Sequence, residues 1–527
     1  MHSHSEEDDV HPDPLRKELG KTINETEVMV RALESMSHAS IKYTKYPAGL
    51  RPPNYIAGHA AFEMAFHDPK LWTWLSAQRL AALGPRHVIY CNTHAYGAPF
   101  PDSEGRPTRL SVLSLDAGGS EMRVVQETDY PPGTGGAMVL ALNRGKSKLF
   151  SVAGANGVAV FDVDPSDEGR VVGGRPPVCS PVTAEPMPTP LGGFPVWLTL
   201  DPTAEPSIVY SCNFFAQTIS ALPFDESTNA CGPPLALCTP LHPGTPDKVL
   251  KAIDPHEEPG PFGAGFPENS CHPHGLSIHP SGKWLVMGDL GANAFTVYSL
   301  PIGPSFTAGP PAFTLPAHTA PESNRCFGAG PKNNCFSRDG TVLFSCNELD
   351  SSVSSYSFDE ATGAMAPIGA PSMALPQAWL DSIPPRPLPF YEACHSGGSV
   401  CLAANGKHLY STNRGHDSIA CFAVGEDGGL SPTAQFCVPA GGRITWTLTM
   451  PSDALLIALS QYADDPAARS GDGTGDPKRV APPPKGPGTL RVFRRNLATG
   501  ELTPTGCVHE VDEPLGILAA DYQRWGA

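Results

Sequence analysis

The segment HPHGLSIHPSGKWLVMGDLGANAFTVY, residues 272–298, contains three short apolar runs separated by polar turns. The turn HPSGK between the first two runs carries a glycine, and a short loop precedes the run FTVY. Short apolar runs bounded by turn residues are typical of buried β-strands. The segment therefore predicts a strand, a glycine-containing turn, a second strand, a short loop and a third strand.

The same order of strands recurs along most of the chain. Seven apolar, alternating runs of the FTVY type occur at residues 110–116, 158–164, 219–225, 295–301, 353–359, 419–425 and 490–496. They start roughly sixty residues apart, with loop length absorbing the variation. A four-stranded blade cannot bury both of its faces alone, so such blades stack radially and close a ring. The sequence therefore predicts an all-β fold, a seven-bladed β-propeller.

The predicted propeller covers residues 87–527, and the C-terminal PLGILAADY is expected to pair with HVIYCNT, residues 87–93, and close the ring. Residues 1–86 lie outside the repeat. We expect a partly disordered N-terminal extension there, with one helix over residues 68–84, because a capping aspartate begins that stretch and a glycine ends it. The Pro/Gly-rich residues 463–488 are expected to form a mobile surface insertion in the last blade.

Charge and composition exclude several classes of function. The chain of 527 residues has 36 Lys and Arg against 53 Asp and Glu, a formal net charge of −17. Without a long basic run, neither nucleic acid nor an anionic membrane is an expected partner. No apolar run is long enough to span a bilayer, and the acidic start MHSHSEEDDV lacks the features of a secretory signal. We therefore expect a cytoplasmic protein.

The 14 cysteines include no Cys-x-x-Cys pair, and many lie inside apolar strand patterns such as VYSCN and LFSCN. We expect reduced, structural thiols. Cys271, His272 and His274 could together hold a metal ion, but no fourth ligand is evident in the sequence. No nucleotide or flavin motif is present either, so the sequence predicts neither a metal nor a cofactor.

Candidate functional residues emerge from comparing equivalent blade positions, because the loops at one end of a propeller converge on a central funnel. The predicted second strands end in a polar residue: Asn92, Asn213, Asp289, Asn347 and Asn413. Glu348 and Arg414 follow directly in consecutive blades, as a catalytic pair or as a structural ion pair between blades. His272 and His274 precede the first strand of the fourth blade, and Lys332 leads into the first strand of the fifth.

This set of side chains suits a small anionic lactone or carboxylate substrate. Arg414 and Lys332 would bind the anion, while His274 or Glu348 would move a proton. Four of the strand-end residues are predicted to complete the substrate-binding set: Asn213, Asp289, Asn347 and Asn413. His279 lies in a turn at the opposite end of the propeller and is expected to be exposed to solvent.

The chain resembles the seven-bladed lactonases, which include one type of 6-phosphogluconolactonase and the fungal 3-carboxy-cis,cis-muconate lactonizing enzyme. The resemblance is most specific in residues 272–298, in GAGPKNNCFSRDGTVLFSCNELDSSVSSY and in NGKHLYSTNRGHDSIACFAVGEDGGLSP. It implies that the His-Pro-His, Asn-Glu-Leu and Asn-Arg-Gly segments line the active site, with roles for His272, His274, Glu348 and Arg414.

This sequence departs from the family pattern at several positions. The departing residues are Lys332 and Asn333 in place of Arg-His, Ser399 in place of an acidic residue, and Trp446 and Thr447 in place of Pro-Arg. Lysine keeps the positive charge of arginine but loses the planar fork that binds an oxyanion at two points. These departures bear on the substrate more than on the fold.

Three functions are compatible with these residues. In the first, the chain is a hydrolase that opens a sugar lactone such as 6-phosphogluconolactone by general-base activation of water. In the second, it is a cycloisomerase of the carboxy-muconate type, a reaction that would favour more guanidinium groups than the sequence offers. In the third, it is a non-catalytic propeller that binds a protein partner through residues 1–86 or through the insertion at residues 463–488.

Overall fold

The structure, a computed structural model, describes the chain in segments. The described residues are 4–5, 45–46, 86–93, 107–131, 138–153, 157–172, 177–182, 193–200, 208–214, 216–234, 236–238, 272–290, 293–300, 313–316, 329–348, 350–382, 396–463 and 487–520. The helix expected at residues 68–84, Cys271 and most of the insertion at residues 463–488 lie outside them. The chain divides into two units, residues 1–86 and residues 87–527.

In the first unit, strands β1 (His4–Ser5) and β2 (Lys45–Tyr46) pair in parallel. The second unit contains seven antiparallel sheets within the described residues, which confirms the predicted seven-bladed propeller.

Blade 1 consists of β3 (Arg86–Thr93), β4 (Arg109–Asp116), β5 (Met122–Asp129) and the C-terminal β33 (Ile517–Ala520). Blade 2 consists of β6 (Leu140–Leu142), β7 (Lys148–Ala153), β8 (Gly157–Asp164), β9 (Arg170–Val171) and β10 (Val178–Pro181). Blade 3 consists of β11 (Pro195–Leu200), β12 (Ile208–Asn213), β13 (Thr218–Asp225), β14 (Ala230–Cys231) and β15 (Ala236–Cys238). Blade 4 consists of β16 (Pro273–Ile278), β17 (Trp284–Asp289), β18 (Ala294–Ser299) and β19 (Phe313–Pro316).

Blade 5 consists of β20 (Pro331–Phe336), β21 (Val342–Asn347), β22 (Ser352–Phe358), β23 (Met365–Pro367) and β24 (Ser372–Met373), and the helix α1 (Gln377–Ser382) follows it. Blade 6 consists of β25 (Ser396–Leu402), β26 (His408–Arg414), β27 (Ser418–Ala423) and β28 (Phe436–Pro439). Blade 7 consists of β29 (Gly442–Ser452), β30 (Leu455–Ala463), β31 (Pro487–Arg495) and β32 (Leu502–Asp512).

The ring closes as the sequence predicts, because the C-terminal β33 pairs antiparallel with β3. Val88 lies opposite Ala520 and Cys91 opposite Ile517. Blade 1 is thus assembled from both ends of the propeller sequence, which ties the last blade to the first.

Hydrophobic clusters fill the spaces between neighbouring blades. Between blades 4 and 5, for example, Val286, Phe295, Leu343 and Tyr356 are completely buried. Each fully buried apolar side chain of this size contributes about 1.5–3 kcal/mol. The second strand of a blade is covered on both faces, which is why VLFSCN of β21 is buried along its whole length and shows no polar alternation.

The turns between the first and second strands depend on glycine. Gly282, Gly340 and Gly406 have φ of 72°, 77° and 70°, a region that favours glycine over residues with a side chain. Gly340 also leaves room for His279, which is only 2 % exposed, lies 3.2 Å from the Gly340 carbonyl oxygen through Nε2 and stacks on Phe358. The expectation that His279 is exposed is therefore wrong, because the next blade covers this turn.

A close approach between blades 4 and 5 gives a test of this packing. A Cβ at Gly275 would lie 2.0 Å from the Lys332 carbonyl oxygen. We expect Gly275→Ala to lower the free energy of unfolding by roughly 1–3 kcal/mol or more, because backbone must shift to relieve the overlap. Chemical denaturation measures this change.

Gly145→Ala is the matched control, since the nearest atom to its added Cβ is the Ser147 hydroxyl oxygen at 3.7 Å. Equal stability of the two variants would contradict the close inter-blade contact.

Candidate active site

The innermost strands of five consecutive blades carry a bulge near their start. Near the start of β11, β16, β20, β25 and β29, the pairing with the second strand skips in register. The skipped residues are Val196, His274, Lys332 with Asn333, Gly398 with Ser399, and Trp446. A bulge inserts an extra residue and re-aims its side chain, and such bulges are frequent beside active sites.

Glu348 is the centre of the candidate site. It follows β21 directly, and its backbone is fixed on both sides: its N–H donates to the Gly330 carbonyl oxygen at 2.8 Å, and its carbonyl oxygen accepts from the Gly397 N–H at 3.0 Å. The carboxylate is 2 % exposed. Its Oε1 accepts a hydrogen bond from Arg414 Nη2, and its Oε2 lies 2.9 Å from Lys332 Nζ. One carboxylate therefore holds cations from two blades.

Arg414 and Lys332 are both buried and share a third neighbour. Arg414, the last residue of β26, is 0 % exposed and also donates to the Gly397 carbonyl oxygen at 2.9 Å. Its Cζ lies 4.5 Å from the centroid of the Trp446 ring, and Lys332 Nζ lies 4.9 Å from the same centroid. Both distances are those of cation–π contacts, so Trp446 completes the environment of the two cations.

His274 is more accessible than Glu348, Lys332 and Arg414. Its side chain is 12 % exposed, and its Nε2 lies 3.9 Å from Glu348 Oε2, beyond a direct hydrogen bond. Nδ1 is buried and has no hydrogen-bond partner in the part of the chain that the structure describes. The imidazole edge contacts the ring of Phe214. His274 therefore presents Nε2 to the cluster, while Nδ1 is a buried polar atom without a hydrogen-bond partner among the described residues.

The pKa values of the cluster follow from burial and from mutual charge. Burial alone would raise the pKa of Glu348, but Arg414 and Lys332 overcome it and lower that pKa to about 2. Burial, followed by the charge of Arg414, lowers the pKa of Lys332 to about 8. Burial, followed by the charge of Lys332, lowers the pKa of His274 to about 3. At neutral pH the cluster thus holds two cations, one carboxylate and a neutral imidazole, with one net positive charge.

His272 makes contacts of a different kind. Its ring stacks on Phe214 with a centroid distance of 4.4 Å, its Nδ1 lies 3.1 Å from the Phe214 carbonyl oxygen, and its backbone N–H donates to Asp289 at 2.8 Å. It is 2 % exposed. These contacts fix the His272 ring beside Phe214, and its predicted catalytic role stays a prediction.

The strand-end residues predicted to bind substrate are buried within their own blades. Asn347 donates to Ser352 and Ser354 at 2.8 and 2.9 Å, both near the start of the third strand. The equivalent hydrogen bonds run from Asn213 to Thr218 and Ser220, and from Asn413 to Ser418. Asp289 instead accepts a hydrogen bond from the His272 N–H, directly before the first strand of its blade. These hydrogen bonds give the four side chains a role in blade structure, and their predicted role in substrate binding stays a prediction.

Two features that the sequence did not identify belong to the site. Trp446 was noted only as a departure from the family pattern, and the bulges were not predicted. A sequence signal for the bulges exists, since His274, Lys332 and Trp446 each lie near the start of an inner strand. In the described segments, His, Cys, Asp and Glu form no group of three or more that could hold a metal ion. No helix in those segments is long and apolar enough to cross a membrane.

Comparison with known proteins identifies relatives of the whole propeller. The sequence profile of the family "Lactonase, 7-bladed beta-propeller" matches residues 192–480. The 6-phosphogluconolactonase of Bacillus subtilis is 21 % identical over 421 residues, which cover 79 % of this chain and 94 % of that protein. A probable 6-phosphogluconolactonase of Arthroderma benhamiae is 22 % identical over 256 residues, covering 47 % of this chain and 53 % of its own.

Solved structures share the same architecture. The periplasmic gluconolactonase of Pseudomonas aeruginosa aligns with a TM-score of 0.57 and 17 % identity, over 83 % of this chain and 99 % of that chain. A putative 6-phosphogluconolactonase of Bacteroides fragilis aligns with a TM-score of 0.56 and 17 % identity, over 83 % of this chain and 98 % of its own. At such low identity these structures support the fold alone.

The depressed pKa of His274 predicts how stability changes with pH. Between pH 6.5, the ordinary value, and about 3, the unfolded chain binds a proton at this residue that the folded chain does not. The histidine therefore makes stability fall as pH falls through this window. We expect the free energy of unfolding to change less between pH 6.5 and 4.5 in His274→Gln than in the wild type. This pH range lies above the ordinary pKa of Glu348.

Denaturant unfolding of the wild type and of His274→Gln at several pH values in this range measures the effect. The two proteins should differ in the slope of the free energy of unfolding against pH. Parallel profiles for the wild type and the variant would show that His274 titrates normally in the folded state.

Proposed function

The chain belongs to the seven-bladed β-propeller lactonases, and on that premise we propose that it hydrolyses a sugar lactone at the Glu348 cluster. Lactone hydrolysis is the activity that family membership supports. The observation that carries the assignment to this cluster is the pairing of two buried cations with an imidazole whose Nδ1 has no hydrogen-bond partner among the described residues. The cations and the imidazole supply the two functions that ester hydrolysis needs.

The first function is stabilisation of the negative charge that develops on the lactone carbonyl oxygen. Lys332 and Arg414 are fixed by Glu348 in a site from which water is largely excluded, so their charges are weakly screened. The single net positive charge of the cluster matches the single negative charge of a tetrahedral intermediate. Glu348 acts by positioning the two cations, since its pKa of about 2 makes it a weak base.

The second function is proton transfer, which we assign to His274. It is neutral at neutral pH, so its imidazole can accept a proton from the attacking water. Its pKa of about 3 makes it a weak base in the resting site, because burial and Lys332 disfavour the imidazolium. The negative charge that develops beside Lys332 offsets the repulsion between Lys332 and the imidazolium, so the imidazolium becomes easier to form.

The proposed reaction proceeds in two steps. Water attacks the carbonyl carbon while His274 takes one of its protons, and the carbonyl oxygen becomes an oxyanion near Lys332 and Arg414. The intermediate then collapses, the bond from the carbonyl carbon to the ring oxygen breaks, and the imidazolium returns its proton to that oxygen. The product is the open-chain hydroxy acid, and no other reactant is consumed.

6-Phosphogluconolactone is the reference substrate for testing this proposal, because relatives of this chain bear the name 6-phosphogluconolactonase. The cycloisomerase and scaffold functions stay predictions from sequence. They differ in outcome: a cycloisomerase closes a carboxylate onto an alkene and consumes no water, and a scaffold has no turnover.

Replacing His274 tests the proton-transfer role. We expect His274→Gln to lower kcat for lactone opening by about 10²–10⁴-fold, the usual contribution of a general base. Initial rates with 6-phosphogluconolactone and with glucono-1,5-lactone, corrected for spontaneous hydrolysis, measure this loss.

His509→Gln is the matched control, since this partly buried histidine lies on β32, the fourth strand of blade 7. We expect it to retain the wild-type rate. Full activity of the His274 variant would contradict the assignment of the base.

A further inference from the structure

Trp446 is a residue of the site that the proposed hydrolysis does not use. It is the bulged residue of β29, skipped between the pairs Thr445 with Ser460 and Thr447 with Leu459. Its indole N–H donates to Gln461 Oε1 at 2.9 Å, and its carbonyl oxygen accepts from the Thr412 hydroxyl at 3.3 Å. The ring is thus held in one orientation by the backbone bulge and by a hydrogen bond at its edge.

That orientation places one face of the indole over both cations. Arg414 Cζ and Lys332 Nζ lie 4.5 and 4.9 Å from the ring centroid. Both groups bind the same carboxylate of Glu348, which is too small to hold cations on opposite faces of the ring. Arg414 is 0 % and Lys332 3 % exposed, whereas Trp446 stays partly exposed. The site thus places a partly exposed aromatic ring against two buried cations.

The charges of the cluster limit which substrates the site accepts. Glu348 neutralises one of the two positive charges, and the remaining one matches the oxyanion of the transition state. A substrate phosphate would bring about two further negative charges at pH 7, and the π-face of Trp446 is itself negative. A sugar ring, by contrast, has an apolar face of C–H groups that packs well on an indole.

We propose that Trp446 determines the charge specificity of the site, so that the enzyme takes neutral or monoanionic sugar lactones in preference to phosphorylated ones. This inference rests on the proposed lactone hydrolysis and names its substrate class. The ring supplies a packing surface for the sugar and keeps Lys332 and Arg414 for the carbonyl oxygen.

The test compares kcat/KM for glucono-1,5-lactone and 6-phosphogluconolactone in three full-length proteins: the wild type, Trp446→Ala and Trp446→Phe. We expect the wild type to prefer the neutral lactone. Removing the ring takes away the aromatic face beside both cations, so Trp446→Ala should shift the ratio of the two kcat/KM values toward the phosphorylated lactone by about tenfold, which lies between the worth of an exposed and of a desolvated cation–π contact. Trp446→Phe keeps an aromatic face and should keep the wild-type order of preference.

A second measurement needs no variant and applies even if Trp446→Ala fails to fold. Gluconate should inhibit the wild type at lower concentration than 6-phosphogluconate does. Wild-type preference for the phosphorylated lactone, stronger inhibition by 6-phosphogluconate, or an unchanged ratio in folded Trp446→Ala would overturn the inference while leaving lactone hydrolysis intact. Hydrolysis of neither lactone by the wild type would instead overturn the proposed function, and this inference with it.

Discussion

The bidentate capture of two cations by the buried carboxylate of Glu348 is the interaction on which the rest of the site depends. Removing a charge from water costs several kcal/mol, and burial is tolerated only when the charge is paired and hydrogen-bonded. Arg414 alone would be a fully buried cation, and Lys332 would be nearly so. Glu348 compensates both, and their combined charge keeps it ionised far below its ordinary pKa. Burial, followed by the charge of Lys332, suppresses protonation of His274, and the carboxylate of Glu348 only partly opposes this shift in pKa.

The propeller makes this arrangement possible because it brings together residues that are distant in sequence. Glu348 and Arg414 follow or end the second strands of blades 5 and 6, while His274, Lys332 and Trp446 come from the inner strands of blades 4, 5 and 7. Closing the ring through β33 fixes the blades relative to one another. The bulges then turn single residues out of the regular pleat, so that the scaffold stays regular while the site is irregular.

The sequence predicts the fold and part of the site. Physical causes explain which features could be predicted and which could not. Blade number, ring closure and the pairing of Glu348 with Arg414 follow from the repeat, since equivalent positions in neighbouring blades become neighbours in space. The hydrogen bonds of Asn347 and Asp289 could not be predicted this way, because equivalence places the backbone and does not say which way a side chain turns. Trp446 was missed for the converse reason. A bulge changes the direction of one side chain without changing the spacing of the apolar pattern.

A double-mutant cycle on Glu348 and Lys332 tests the central claim most directly. The measurement is kcat/KM for glucono-1,5-lactone and for 6-phosphogluconolactone in the wild type, Glu348→Gln, Lys332→Met and the double variant, with folding verified by thermal unfolding. If Glu348 acts by holding the cation, Lys332→Met should cost little once Glu348 is gone, and the double variant should resemble Glu348→Gln. If the loss of kcat/KM in the double variant equals the product of the losses in the two single variants, Glu348 and Lys332 act independently. That result would contradict a site organised by this carboxylate.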